Sequence, residues 1–113
     1  MKKTILAAAA LGAATLSMAA PVMAEGDYKV AMVTDSGDIT DQSFNQTTYE
    51  ACKAFCEENG LDFNYYKPDG DSDEARIASC DQAIADGYNI LVLPGYLFAA
   101  SVVEESPVYP DVK

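Results

Sequence analysis

The chain has 113 residues, 18 acidic and 7 basic, no histidine, and a net charge of −11. A chain this acidic is repelled by phosphate backbones and anionic membrane surfaces, so nucleic acid is not expected as a partner. With no histidine, no G-x-S-x-G, no phosphate-cradling glycine loop and no C-x-x-C, hydrolytic and redox chemistry lack their usual groups.

The N-terminus reads as an export signal. Lys2 and Lys3 precede an Ala-rich apolar run from Ile5 to Met18; Pro21 follows, then Val22-Met23-Ala24 as a cleavage site. A retained anchor is the alternative, but Gly12, Thr15, Ser17 and Pro21 weaken the apolar run. Cleavage after Ala24 leaves 25–113 as the mature chain, whose charge is −13 once Lys2 and Lys3 are gone. Glu25, not a cysteine, then stands first, so no lipid-acceptor thiol is expected there. Three cysteines, Cys52, Cys56 and Cys80, enter an oxidising compartment. They are read as small apolar residues on helix faces, with no bridge from Cys80 to the other two.

Tyr28 to Thr34 is a β-prone run that exits into Asp35-Ser36-Gly37-Asp38. Ser43 to Asn59 predicts a helix, opened by a Ser43–Gln46 capping box and stopped at Asn59-Gly60. Phe44, Thr48, Ala51, Cys52 and Phe55 recur at helical spacing as its apolar face. Asp62 to Tyr66 predicts a more polar strand suited to a sheet edge. A second helix is expected after Lys67-Pro68-Asp69-Gly70, capped by Asp71 with Glu74, with Ile77, Cys80 and Ile84 on one face and an end at Gly87. The acidic run 69–74 hints at calcium, but the sixth and twelfth loop places hold Glu74 and Cys80 where glycine and glutamate belong, so no metal is expected. Asn89 to Leu93 predicts a strand covered on both faces. Leu97 to Glu105 predicts a third helix, and Tyr109 to Lys113 the start of another strand.

Strands alternating with helices predict an α/β fold with a parallel sheet in three layers, in the order 2-1-3, with the first two helices on opposite faces. Three strands and three helices cover such a sheet poorly, so the chain is expected to be a fragment of a longer protein. Ligands of open parallel sheets lie beyond the carboxyl ends of the strands, at the switch in strand order. That places a site at the loop 35–42, the first turn of the first helix, and the turn Pro94-Gly95-Tyr96.

The string V-T-D-x-G-x-x-x-D-x-S-F-N-Q over residues 33–46, behind an export signal and a first strand, resembles the basic membrane protein (BMP) family of ABC-importer substrate-binding proteins. The resemblance runs from 28 to 113. It implies the type I periplasmic-binding-protein fold, here an incomplete N-terminal lobe, and a small ligand, typically a purine nucleoside, held between two lobes. It further implies an ABC permease as partner, a location outside the cytoplasm, and no cofactor or catalysis. Many relatives carry a lipid-anchoring cysteine that this chain lacks after its signal.

The resemblance assigns the ligand to Asp35, Ser36, Gly37, Phe44, Asn45 and Gly95. In the family the phenylalanine matching Phe44 stacks on the purine, a contact suited to a planar base; spacing alone favours Phe44 as core with Thr48 and Phe55, and the motif reverses that. Asp35 would accept hydrogen bonds from base N–H groups, or cap its loop. Asn45 offers a donor and an acceptor. Ser36 and Gly37 would present backbone N–H groups, and Gly95 would allow close backbone approach. Asp38 and Asp41 read as loop and cap residues. The alternatives are the same fold binding a sugar or another small solute, and an exported flavodoxin-like enzyme module using the same loops.

Overall fold

The computed structural model describes residues 27–113, so the expected export signal lies outside the described residues. Three short strands form one parallel sheet: β1 (Lys29–Val33), β2 (Asp62–Tyr66) and β3 (Ile90–Val92), in the order β2-β1-β3. The register pairs Val30 with Phe63 on one side and with Ile90 on the other. β1, nearly all apolar, is therefore the central strand, and Val30 to Val33 are buried. The predicted order and the positions of the first three predicted strands hold, and their ends fall within a residue of expectation.

The pleat sends alternate residues to opposite faces. Helix α1 (Phe44–Asn59) covers the face carrying Phe63 and Tyr65, whose rings lie 5.7 and 5.3 Å from that of Tyr49. Helix α2 (Asp73–Ala85) covers the other, where Cys80 packs with Val33 and Phe98, flanked by Tyr66, Leu91 and Leu93. A 3-10 turn (Tyr96–Phe98) leads into α3 (Ala99–Glu105), which packs on α2. All three cysteines are free, with Cys56 and Cys80 buried on opposite sides of the sheet. Burial, with Glu105 and Asp81 nearby, pushes the Cys80 thiol up to about 11, so it is an inert core residue.

Four local expectations are corrected. The α1 capping box does not form, since Ser43 makes no side-chain cap bond. The buried stripe of α1 is Asn45 and Cys56 with half-buried Tyr49 and Cys52, whereas Phe44, Ala51 and Phe55 point to solvent. The α2 cap is Ser72, whose hydroxyl accepts from the Ala75 N–H, not Asp71. Asp71 and Asp73 instead hold the buried Arg76 guanidinium at 2.8 and 3.3 Å. Finally, Tyr109 to Asp111 turns instead of extending. Only Lys113 reaches the sheet, donating to Asn89 O and accepting from Leu91 N at 2.9 and 2.8 Å, the pattern of a parallel neighbour to β3.

Candidate functional site at the carboxyl ends of β1 and β3

Strand order reverses between β1 and β3, so their exit loops part to opposite faces and leave a crevice. The β1 exit carries residues 34–43 and the β3 exit residues 93–95. The two loops approach at Asp35 and Gly95: a β-carbon on Gly95 would stand 4.0 Å from Asp35 Oδ2. Gly95 has φ 111°, a left-handed value that a side chain there would strain.

The β1 exit is organised by one carboxylate. Asp41 Oδ1 accepts from the N–H groups of Ser43 and Gln46 at 2.8 and 3.0 Å, and Oδ2 accepts from the Asn45 N–H at 3.2 Å. These are the orphan donors of the α1 N-terminus, so Asp41 does the capping expected of Ser43. Burial raises the Asp41 acid, but the hydrogen bonds from Gln46, Ser43 and Asn45 outweigh it and hold the carboxyl below its usual range. Gln46 reaches back to the N–H of Gln42, a non-glycine residue at φ 56°. Asp38 accepts from the Ile39 N–H and pairs with Lys67, and both lower its acid.

Asn45 lies beneath this loop, 1% exposed. Its Nδ2 donates to Asp35 Oδ1 at 2.7 Å and to Asp41 Oδ2 at 2.9 Å, and its Oδ1 accepts from the Asp35 N–H at 3.1 Å. The donor and acceptor expected to meet a ligand are engaged inside the protein. Gly37 is similarly occupied, since its N–H bonds to Asp35 Oδ1 at 2.9 Å. Gly37 is glycine for a steric reason: a β-carbon there would meet Asn45 Nδ2 at 2.8 Å and Asp41 Oδ2 at 3.3 Å. Ser36 is exposed at the tip of the turn.

Two groups face outward. Asp35 Oδ1 holds the loop, and Oδ2 accepts no hydrogen bond among the described residues, leaving it open beside Gly95. Phe44 begins α1 with 66% of its surface exposed, which removes the core alternative for this ring in the described chain. Tyr96 adds a second aromatic, 87% exposed, directly after Gly95. Sequence reasoning placed Tyr96 in the site's turn but did not assign it to the ligand; a tyrosine following the glycine of a strand exit was the available signal. An apolar cavity of about 160 Å³ between α2, β3 and α3, lined by Ile84, Leu91, Leu93, Val102 and Val112, contains none of these loop residues.

The sequence of residues 28–113 matches the family described as ABC transporter substrate-binding protein PnrA-like. Among curated relatives, the ABC transporter nucleoside-binding protein BmpA of Lactococcus lactis subsp. cremoris is 27% identical over 110 residues, covering 85% of this chain and 31% of the relative. The CD4+ T-cell-stimulating antigen of Listeria monocytogenes is 29% identical, covering 74% of this chain and 24% of its own length. The crystal structure of an ABC transporter solute-binding protein from Aeropyrum pernix K1 superposes with a TM-score of 0.66 at 28% identity, over 76% of this chain and 23% of that one. The chain thus spans about a quarter to a third of the length of these proteins. The expected parallel α/β fold, here part of a larger domain, is shared with the Aeropyrum structure. With a family match over nearly all the described residues, the chain belongs to the Bmp family of PnrA-like ABC transporter substrate-binding proteins.

Proposed function

We propose that the intact protein is the receptor of an ABC importer, that it binds a purine nucleoside between two lobes, and that this chain supplies one wall of the site. The reading rests on one arrangement: the open Oδ2 of Asp35 beside Gly95, at the same sheet end as an exposed phenylalanine on the first turn of α1. A carboxylate oxygen accepts from the N–H edge of a purine or from ribose hydroxyls. An aromatic face adds an offset stack of about 0.5–1.5 kcal/mol beyond area burial. Similarity to the Lactococcus nucleoside-binding protein supports a nucleoside over a sugar. Asp35, Ser36, Phe44 and Gly95 would line the ligand, with Gly37 and Asn45 behind them. Residues 1–24 would be an export signal, placing the protein outside the cytoplasm beside its permease. Binding without turnover is the expected activity.

The test is calorimetry on the intact protein with inosine, guanosine, adenosine and ribose, alongside a search for nucleoside turnover. Saturable binding of one or more nucleosides with no conversion is expected. Binding of ribose alone would transfer the reading to sugars, and cleavage of a nucleoside would overturn the receptor assignment. Mass analysis of the exported protein checks cleavage after Ala24.

A further inference from the structure

We infer that Asp81 on α2, Glu105 at the end of α3 and Tyr109 beyond it form a proton-dependent clasp, closed when the two carboxyl groups share one proton and loosened, with α3 and the turn after it, when that proton leaves for solvent. The clasp lies outside the candidate ligand site and is independent of the nucleoside reading. Glu105 lines the apolar cavity between α2, β3 and α3, and its Oε2 is buried with no hydrogen-bond partner among the described residues. The group it meets is the Asp81 carboxyl, whose Oδ1 already accepts from the Tyr109 hydroxyl at 3.1 Å. No lysine or arginine pairs with either acid among the described residues. Two carboxylates in contact, one with a buried oxygen, repel each other when no cation stands between them. One shared proton turns that repulsion into an O–H···O hydrogen bond. In keeping with this, burial, then Asp81, then Glu104 hold the Glu105 acid well above its usual range. The other titratable and charged groups around the pair leave it to switch alone. The Cys80 thiol on α2 is pushed up to about 11 and stays neutral, and Asp81 raises the Tyr109 phenol, which stays a donor. Glu104 on α3 adds negative charge, and Lys113 lines the same cavity without an ion pair to either acid. The clasp matters because α3 has seven residues and no side-chain cap at its start. A helix that short does not persist alone, so its seat on α2 holds it. The Glu105 carbonyl accepts from the N–H groups of Val108 and Tyr109 at 3.0 and 2.9 Å, so a displaced Glu105 carries the turn with it.

The test is hydrogen exchange of the intact protein, without ligand, at about pH 5.5 and pH 8, with each rate corrected for the intrinsic pH dependence of amide exchange. The folded-state acid is raised, so the clasp is closed at the lower pH and open at the higher. Amides of residues 101–109 should exchange about three- to tenfold faster at the higher pH after correction, while those of Val30 to Val33 keep their rate. Glu105→Gln brings its own N–H donor to Asp81, and so should hold the slow rate at both pH values. Asp81→Asn donates from the other side while its oxygen still accepts from Tyr109, and should do the same. An unaltered protein whose segment exchanges alike at both pH values would overturn the inference. So would a pH effect that persists in both variants, or one spread evenly over the chain, since these point to another group or to general loosening. Should the variants fail to fold, the unaltered protein decides alone. The ¹³C carboxyl signal of Glu105 should titrate with a midpoint near 7, and a midpoint in the ordinary carboxylate range would overturn the inference.

Discussion

The exits of β1 and β3 occupy equivalent places at the carboxyl end of one sheet and are held in opposite ways. The β1 exit buries an amide and exposes a ring: Asn45 is 1% exposed and Phe44 66%. The β3 exit buries a ring and exposes a ring: Phe98 is 2% exposed and Tyr96 87%. One loop is shaped by directional bonds from Asp41 and Asn45, the other by an apolar anchor and a glycine at φ 111°, with no side-chain cap on its 3-10 turn. Hydrogen bonds fix the direction of a carboxylate more narrowly than packing fixes a side chain at a loop tip. On the proposed reading, the first loop would set the ligand's polar contacts and the second would adjust to its bulk.

Removing the apolar anchor tests this contrast most strongly. Phe98→Ala should destabilise the fold by about 3–5 kcal/mol, the range for a buried aromatic. Denaturant melts check it, and a loss under about 1 kcal/mol would show that the β3 exit is not held by burial. Phe44→Ala should instead weaken nucleoside binding by about 1–3 kcal/mol while leaving the melt nearly unchanged. A melt shifted as far as that of Phe98→Ala, with affinity intact, would return Phe44 to the core of the intact protein. Asp41→Ala removes the α1 cap and should lower the melting midpoint, by less than Phe98→Ala does. Asp41→Asn, which still accepts through one oxygen, should recover part of it. The smallest effect lies at the far end of α3. There burial, then Asp81 and Glu104, push the Glu105 acid up to about 7. The folded form thus favours the protonated acid, so this group's contribution is fullest below about pH 4.5 and is lost as pH rises towards 7. Glu105→Gln should flatten that part of the profile and stabilise the protein at pH 8 by under about 1 kcal/mol, after allowance for solvent screening. A thermal-melt series from pH 4 to 8 measures it.

Strand positions and sheet order were legible because apolar runs such as Val30 to Val33 and Ile90 to Val92 are short, continuous and bounded by turn residues. The face of α1 was not. Phenylalanines at 44 and 55 carry the hydrophobic signal, yet the buried positions include an asparagine whose partners lie ten and four residues back. Polar burial of that sort is invisible to periodicity, since it depends on a loop folding over the helix start. The caps went astray for a related reason: Asp41 and Ser43 are both good cap residues, as are Asp71 and Ser72, and only loop geometry chooses between them. The motif string located the site, but it did not separate Phe44, which faces out, from Asn45, which faces in. Adjacent helical residues point about 100° apart, and a linear motif carries no direction.

The central place of β1 bears on how the chain folds. It is made first and is the strand to which both others pair, through residues 33 and 60 positions further along. Neither pairing is a hairpin, so neither forms before a helix and its connections have been gathered. Hydrogen exchange should register this directly. The amides of Val30 to Val33, locked between two neighbours, should be the last to exchange, and those of β2 and β3 should exchange earlier through partial openings that leave β1 attached to one partner.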